Sequence, residues 1–475
     1  FFILNLKVKP FDVQCNHRDY QYGSTVCVCN EHHCDTMGPL PKTAAGIVQV
    51  YETSRNGDRF RSNHFSFKSI QSKNDANIIQ INLNHEKRYQ KIIGFGGAFS
   101  DSSGLNMKKL SNKLQVRLMM DYFGSDGIEY SIGRIPIGGT DFSPRPYTYD
   151  DNPGDEMLSN FSLQIEDYQY KIPYIKMAQK FSSNGIRHFG SPWGPPAWMK
   201  TNNDISHGGY LKGEPGGKYY KLFAQYIVKF LQEYQKHNIP IWGITIVNEP
   251  IKGMIPEWKW NCLALNSSQQ RDFIKLDLGP ELYEHGFKRE HLAVMIYDDQ
   301  LPQMKSYAET IMDDEDAAKY VSGVAFHWYE NRLKNADRND IDELYHKYPG
   351  IFLLATEACE LRKNDSHRVH LGSWDAFNNY ADDIIEDLNH YSAGWIDWNL
   401  ALDVDGGPSW AENQVEAPIM INTTGNEYYK QPTFYAMGHF SKFLTPGSIR
   451  IHFDMIDAKQ SSSSSIKATV FERPD

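Results

Sequence analysis

The chain has 475 residues, of which 40% are hydrophobic and 13% aromatic, enough for a core larger than that of one ordinary domain. Its net charge of −10 disfavours a nucleic-acid-binding protein, and no basic run argues otherwise. No apolar stretch approaches the roughly 18 residues of a membrane-spanning helix, so we expect a globular protein without a transmembrane segment.

Four of the six cysteines, Cys15, Cys27, Cys29 and Cys34, fall within twenty residues of one another. The stretch "CVCNEHHC" also contains two histidines and could form a zinc site, but its spacings do not repeat the paired cysteines typical of zinc knuckles. Two disulfides that staple a small N-terminal β-sheet, over residues 1–42, are the favoured interpretation. The spacing alone does not choose among the three pairings that four cysteines allow.

Sequons of the type N-x-S/T occur at Asn160, Asn266, Asn364 and Asn422, and together with disulfides they favour a secretory route. Both ends of the sequence look cut. The opening "FFIL" resembles the tail of a signal-peptide apolar region, and "SIKATVFERPD" predicts a strand with no partner strand after it. We therefore expect a fragment of a longer chain.

Eight apolar strands alternate with helix-like stretches between residues 90 and 400, as in "YYKLFAQYIVKFLQEYQKH" (219–237), where apolar residues recur every three or four positions. The predicted strands cover residues 91–99, 130–137, 186–193, 241–249, 292–299, 322–329, 350–358 and 393–400. Eight β-then-α units predict an α/β fold, a (β/α)8 TIM barrel, which we assign to residues 89–446 as the catalytic domain.

Short alternating strands such as "IIQINLN" flank this barrel on both sides. They predict an accessory all-β module built from both chain ends, with residues 43–88 as its first part. Residues 447–475 form the second part, which looks truncated.

Polar residues follow the predicted barrel strands, and the carboxyl ends of these strands meet at one mouth, where barrel enzymes hold their active sites. In "GITIVNEP", for example, an apolar strand delivers Asn248 and Glu249 and then stops at Pro250. Aromatic faces, hydroxyl-binding groups and paired carboxyls are the mixture that cleavage of a sugar's glycosidic bond requires. The residues at the strand ends are Arg134, Asp141, Phe142, Trp193, Asn248, Glu249, His327 to Tyr329, Glu357 and Asp397 to Asn399.

Each of these residues also has a plainer structural interpretation. One strand-end carboxylate could simply form a salt bridge, but two of them, Glu249 and Glu357, each after a strongly apolar strand, favour a functional pair. Arg134 could bridge carboxylates while orienting a nucleophile, and His327 is favoured as a hydrogen-bonded wall residue. Cys359 has no visible His–Asp partnership to activate it, so we expect a packed thiol.

The glycine-rich stretch "GFGGAF" lacks the third glycine of the dinucleotide-binding fingerprint and opens a barrel strand instead. We therefore predict no cofactor, and we predict no metal.

The motifs "GFGGAFSD", "SPWGPPAWMKTN", "NEP", "FHWY", "TEAC", "WIDWNLALD" and "YKQPTFYAMGHFSKF" resemble those of the lysosomal glucosylceramidases of glycoside hydrolase family 30. The resemblance covers nearly the whole chain, including the N-terminal cysteine pattern. It implies a retaining β-glucosidase that releases glucose from glucosylceramide at a membrane surface. It also implies the lysosome lumen as the location, reached by the secretory pathway, and a saposin-type activator protein as a partner.

The resemblance also implies roles for individual residues. Glu249 matches the acid/base, Glu357 the nucleophile, and Asn248 the neighbour that contacts the sugar's 2-hydroxyl. Disulfides Cys15–Cys27 and Cys29–Cys34 are implied as well. The substrate-binding residues predicted in this way are Arg134, Asp141, Phe142, Trp193, Asn248, Tyr329, Trp398 and Asn413, with Tyr329 as a rim aromatic.

Two departures from the family pattern lie away from the catalytic carboxylates: Lys259 stands where relatives have an uncharged residue, and Thr140 where a relative has an unpaired cysteine. Two other functions are weighed against the leading one. The first is a family-30 hydrolase of another β-glycoside, such as a xyloside or a steryl glucoside. The second is a carbohydrate- or lipid-binding protein that has lost catalysis, which the presence of both carboxylates disfavours.

Overall fold

Eight parallel strands close into a barrel in the computed structural model, which describes residues 14–67, 79–362, 365–457 and 466–474. Each strand pairs with the next along the chain, and the last pairs with the first. This confirms the predicted TIM barrel. We number the barrel strands one to eight: Gly94–Ala98, Ile132–Ile137, Arg187–Pro192, Gly243–Thr245, Ala293–Gln300, Gly323–His327, Phe352–Glu357 and Ser392–Asn399.

Helices connect the barrel strands and cover them from outside. The longest, Lys218–Lys236, has the apolar periodicity noted in the sequence and buries Phe223, Ile227, Phe230 and Leu231 on one face. The other α-helices are Asp101–Lys108, Asn112–Phe123, Ile172–Phe181, Ser267–Phe273, Gly279–Glu284, Met304–Met312, Glu315–Ala318, Asn339–Lys347, Trp374–Asn389 and Pro432–Ser441. Shorter helical turns are Asp167–Lys171, Ala197–Met199, Lys252–Met254, Ile274–Leu278 and Leu301–Gln303.

An apolar cluster of six side chains, each from a different barrel strand, fills the barrel below its mouth. Barrel strands are buried on both faces, which is why they read as nearly continuous apolar runs in the sequence. Polar side chains can then be presented only where the strands end. The cluster consists of Ile132, Phe189, Met295, Ala325, Leu354 and Ile396.

The N-terminal strands His17–Asp19 and Thr25–Cys29 belong to a five-stranded sheet. Disulfides Cys15–Cys27 and Cys29–Cys34 staple this region, with the pairing that the resemblance implied. Because all four sulfurs are bonded in pairs, none of these thiolates is available to a zinc ion. The sheet is larger than predicted for residues 1–42, since three strands that follow barrel strand eight complete it: Ala401–Asp403, Ile419–Asn422 and Glu427–Lys430.

Strands from the two ends of the chain pair with each other, as expected for the accessory module. Ile79–Lys91 lies antiparallel to Ile449–Asp457, which also pairs with the two-residue strand Phe471–Glu472. A separate hairpin joins Ile47–Glu52 to Arg61–Ser66. The "FFIL" opening, the sequon residue Asn364 and residue 475 lie outside the described residues, and the division into four domain segments stays a prediction.

No helix within the described residues is long and apolar enough to cross a membrane.

Candidate active site

A cavity of about 420 Å³ opens at the carboxyl ends of the barrel strands. Eight of the predicted site residues line it, and the other two, Arg134 and Phe142, lie behind its wall. Of the predicted strand-end residues 397–399, only Trp398 lines the cavity. The lining residues are Asp141, Trp193, Asn248, Glu249, Lys252, Trp258, Trp260, Gln300, Tyr329, Glu330, Glu357, Cys359, Leu361, Trp398, Asn413 and Val415.

Glu357 ends barrel strand seven and is held by donors at both carboxylate oxygens. The Arg134 guanidinium donates a 2.5 Å hydrogen bond to Oε2, and the Tyr329 hydroxyl donates a 2.9 Å bond to Oε1. Arg134 has no solvent exposure and also donates to Asn248 Oδ1 at 2.8 Å. A buried arginine, rather than solvent, therefore fixes the orientation of both Glu357 and Asn248.

Glu249 lies four residues beyond barrel strand four, which ends at Thr245 and is shorter than the predicted 241–249. Its backbone is left-handed, with φ of 46°, a conformation that costs a non-glycine residue energy and that recurs at functional sites. The turn is held because the Glu249 amide donates to the Asp298 carbonyl at 2.9 Å. Gln300 donates a 2.7 Å hydrogen bond to Glu249 Oε1. The carboxylate is thus aimed into the cavity by its neighbour, strand five.

Asp298 is a buried site residue that the sequence reasoning missed. Tyr297 and Asp298 both have positive φ, and the pairing register with strand six shifts there, as at a β-bulge. The Asp298 carboxylate accepts hydrogen bonds from Arg134 at 2.9 Å and from Thr356 at 2.6 Å. Burial alone would raise the pKa of Asp298, but Arg134 and His327 outweigh it and hold that pKa well below its usual value. The polar run "DDQ" after apolar "VMIY" was the available signal.

His327, the last residue of strand six, lies between two carboxylates rather than simply in the wall. Its Nε2 is 3.1 Å from Asp298 Oδ1, and its Nδ1 is 3.6 Å from Glu249 Oε1. Burial would lower the pKa of His327, but Glu357, Asp298 and Glu249 raise it to about 10. These carboxylates therefore favour the protonated, cationic form of the imidazole.

The pKa values of Glu249 and Glu357, two of the carboxyl groups that line the cavity, shift in opposite directions. Burial raises the pKa of Glu249, but His327, Lys252 and Gln300 outweigh burial and leave that pKa below its ordinary value. Burial also raises the pKa of Glu357, and there His327 and Arg134 only limit the rise. His327 thus acts on both groups: it lowers the pKa of Glu249 and limits the rise in the pKa of Glu357.

Asp141 and Asn413 form a hydrogen-bonding pair on another part of the cavity wall. Asn413 Nδ2 donates to Asp141 Oδ2 at 2.8 Å. Burial raises the pKa of Asp141 to about 7, although Asn413 opposes the rise, and Glu357 and Glu249 add to it. Asp141 can hydrogen-bond a sugar hydroxyl in either protonation state, since the ionised carboxylate accepts and the protonated carboxyl can donate.

The aromatic wall consists of Trp193 and Trp398, whose rings stack with centroids 5.1 Å apart. Phe142, also predicted to bind substrate, is fully buried and packs edge-on against Trp398. Asp397 is also buried and accepts a hydrogen bond from Tyr380 at 3.0 Å, away from the cavity.

Cys359 is buried, as expected of a packed thiol, yet it also lines the cavity. Its sulfur lies 3.4 Å from the Tyr329 hydroxyl that bonds Glu357. Burial raises the pKa of the Cys359 thiol well above its usual value, so the sulfur is a protonated, weak nucleophile there.

Two groups of side chains among the described residues are close enough together to hold a metal ion, Cys15 with His17 and Cys27, and Cys29 with Cys34 and Asp35. Both contain disulfide-bonded cysteines, and neither lines the cavity. The polar groups that line the cavity include carboxylates, side-chain amides, the Lys252 ammonium, the Tyr329 hydroxyl and the Cys359 thiol.

Comparison with known proteins places this geometry in a family. The family model of the glycosyl hydrolase family 30 TIM-barrel domain matches residues 92–444. The chain is 43% identical over 440 residues to "Putative glucosylceramidase 3" of Caenorhabditis elegans, covering 92% of this chain and 83% of that protein. It is 41% identical over 461 residues to "Lysosomal acid glucosylceramidase" of Mus musculus, covering 97% and 87%. Among solved structures, SrfJ from Salmonella typhimurium matches with a TM-score of 0.78 and 27% identity, covering 90% of this chain and 89% of that one.

Proposed function

Because the chain belongs to glycosyl hydrolase family 30 and is a glycoside hydrolase, we propose that it is a retaining β-glucosidase that converts glucosylceramide to glucose and ceramide. The observation that carries this proposal is the pair of cavity carboxylates with unlike partners. Glu357 accepts hydrogen bonds from Arg134 and Tyr329. Glu249 accepts one from Gln300 and lies next to His327. One carboxylate is fixed for attack and the other has a proton source.

In the first step, a Glu357 oxygen attacks the anomeric carbon of the glucoside, and the bond from that carbon to the ceramide oxygen breaks. Glu249 donates its proton to the departing oxygen, so ceramide leaves as a neutral alcohol. The product on the enzyme is a glucosyl ester of Glu357. For this double displacement the two carboxyl groups should lie about 5–5.5 Å apart.

In the second step, Glu249 acts as a base. It removes a proton from a water molecule, whose oxygen attacks the anomeric carbon and displaces Glu357. Two inversions leave glucose with the β configuration of the substrate, and Glu249 regains its proton.

The proton for the first step comes from the His327–Glu249 pair. In the proposed cycle His327 holds this proton before the sugar binds, with its Nδ1 3.6 Å from the carboxylate. Moving it to Glu249 leaves the net charge of the pair unchanged, since a neutral acid and a neutral imidazole replace an anion and a cation. The lowered pKa of Glu249 is therefore compatible with its role as the acid.

Glucose is held by the remaining wall residues. We assign its 2-hydroxyl to Asn248, which Arg134 orients, and other hydroxyls to Asp141 and Asn413. The stacked Trp193 and Trp398 face its C–H surfaces.

We also propose the lysosome lumen as the site of action, with a saposin-type activator protein as a partner at the membrane surface. The name of the mouse relative and the two disulfides, which persist in oxidising compartments, support this location. Release from the lysosomal fraction into the cytosolic one, on gentle fractionation of cells expressing the chain, would contradict it.

The experiment for the substrate compares initial rates of sugar release from glucosylceramide, a steryl β-glucoside and a β-xyloside by the purified protein. The proposal requires glucosylceramide to have the highest kcat/KM of the three. A higher value for the xyloside or the steryl glucoside would overturn the substrate while leaving the glycosidase assignment intact.

A further inference from the structure

An ion pair lies at the mouth of the cavity, formed by residues that closely follow Glu249 and Tyr329 in the chain. Lys252 Nζ donates a 3.0 Å hydrogen bond to Glu330 Oε1, and both side chains line the cavity. Lys252 begins the short turn Lys252–Met254, and its amide donates to the Glu249 carbonyl. The pair thus connects the loop of the proposed acid to the loop whose tyrosine holds the proposed nucleophile.

Stability alone does not account for this ion pair. The Lys252 and Glu330 side chains keep 22% and 32% of their exposure, and partly solvated ion pairs contribute little to folding. An ammonium has three N–H donors and a carboxylate has two acceptor oxygens. The ammonium can therefore donate a further hydrogen bond and the carboxylate can accept one, which suits a ligand with both an acceptor and a donor.

The surface around this ion pair is apolar. Trp258 lies with its ring centroid 6.0 Å from Lys252 Nζ, and Trp260, Leu361 and Val415 line the same cavity. Met254 and Ile255, two and three residues after Lys252, are exposed at 36% and 38%. The mouth thus offers a ligand one ion pair close to the catalytic carboxylates and an apolar surface around that ion pair.

We propose that Lys252 and Glu330 form a polar clamp for the leaving alcohol, which recognises the amide and hydroxyl of a ceramide. The ammonium donates to the amide carbonyl and the carboxylate accepts from the hydroxyl, while the apolar mouth contacts the hydrocarbon chains. This inference rests on the proposed function, because it names how the aglycone of that reaction is recognised. A simple alkyl aglycone lacks both polar groups and would leave the clamp unused.

The test uses two lipids in the same detergent micelles, glucosylceramide and an alkyl β-glucoside of matched chain length. The double variant Lys252→Met/Glu330→Leu removes both charges together, so no lone charge is left at the mouth. The readout is the ratio of kcat/KM for the two lipids. Lys252 also influences the pKa of Glu249, but that effect acts on both substrates and cancels in the ratio.

The clamp predicts that the ratio of glucosylceramide to alkyl glucoside hydrolysis falls about tenfold in the double variant, as expected for losing hydrogen bonds to charged groups. A matched control is Lys347→Met/Glu309→Leu, which removes an equivalent 3.1 Å pair outside the cavity and should leave the ratio unchanged. The charge-reversed variant Lys252→Glu/Glu330→Lys should recover part of the ratio, since donor and acceptor are both present again.

Other outcomes are distinguishable. Equal loss on both lipids would mean that the pair only shapes the mouth, and would overturn the clamp. Selective loss on a β-linked glucose disaccharide, with the lipid ratio unchanged, would assign the pair to a sugar aglycone instead. Failure of the unaltered protein to hydrolyse glucosylceramide at all would overturn the proposed function itself.

Discussion

The Arg134 guanidinium donates a 2.5 Å hydrogen bond to Glu357 from a position with no solvent exposure. The same side chain reaches Asn248 and Asp298, so one cation on strand two organises residues on strands five and seven and in the loop after strand four. A planar guanidinium can serve these partners at once, whereas a lysine ammonium is a compact charge with a different geometry. The arrangement of the cavity therefore depends on this one buried residue.

Replacing this residue conservatively tests that dependence. We expect Arg134→Lys to lower kcat/KM by about 100-fold on every glucoside, because the charge stays but Glu357 and Asn248 lose their orientation. Kinetics on a chromogenic β-glucoside, with circular dichroism to verify folding, are the measurements. A variant that is folded and nearly as active as the parent would contradict this view of Arg134.

Tyr329 provides a pH-dependent test of the Glu357 assignment. Tyr329→Phe removes the 2.9 Å hydrogen bond that favours the ionised carboxylate, so the pKa of Glu357 should rise. Since attack requires the ionised form, the acidic limb of the kcat/KM profile should move to higher pH, with a rate loss of about tenfold. Tyr283→Phe, at a surface position, serves as the control. An unmoved acidic limb would argue against Glu357 as the attacking group.

His327 should matter most when the leaving group needs a proton. In His327→Asn, we expect the rate on a poor leaving group such as an alkyl glucoside to fall about tenfold more than the rate on a nitrophenyl glucoside. The reason is that, in the proposed mechanism, His327 holds the proton that Glu249 must donate. Equal losses on both substrates would indicate a purely structural role for the imidazole.

The predictions from sequence succeeded where apolar runs end in polar residues. Barrel strands are buried on both faces, so Glu357, directly after an apolar run, could be placed at the mouth. Asp298 was not predicted as a site residue, because a β-bulge with positive φ at Tyr297 and Asp298 redirects its side chain. The alternating side-chain pattern of a regular strand does not reveal such a bulge.

Contacts between distant parts of the chain were the other limit. Lys252 and Glu330 are 78 positions apart, and each alone reads as an ordinary exposed charge. The packing of Phe142 edge-on against Trp398 also joins distant parts of the chain, and neighbouring positions in a loop do not reveal it. The N-terminal sheet likewise recruits strands from beyond residue 400, which local patterns could not indicate.

Stability should increase on mild acidification, because several buried carboxyl groups hold protons more tightly in the folded chain than in the unfolded one. Burial raises the pKa of Asp141, Asp299 and Glu416 to about 7 and that of Asp101 to about 6. Between the unfolded values near 4 and these folded values, the folded state binds more protons, so its stability is lost as pH rises toward 7.

Two buried histidines oppose this trend, since burial lowers the pKa of His188 to about 3 and of His439 to about 4. Four carboxyl groups outweigh them, and we expect the free energy of unfolding to be higher at pH 5 than at pH 7. Thermal melts at the two pH values measure it. Asp141→Asn should reduce the difference in Tm, whereas a higher Tm at pH 7 than at pH 5 would refute the prediction.

The central claim is that Glu357 is the nucleophile and Glu249 the acid/base, and azide tests it most directly. With Glu249→Ala and a nitrophenyl β-glucoside, Glu357 still forms the glucosyl ester, and azide should displace it to give β-glucosyl azide. With Glu357→Ala, azide should replace the missing nucleophile in a single inversion and give α-glucosyl azide. Product stereochemistry by proton NMR decides the matter: β from Glu249→Ala and α from Glu357→Ala is the predicted result, and the exchanged pattern would contradict the account.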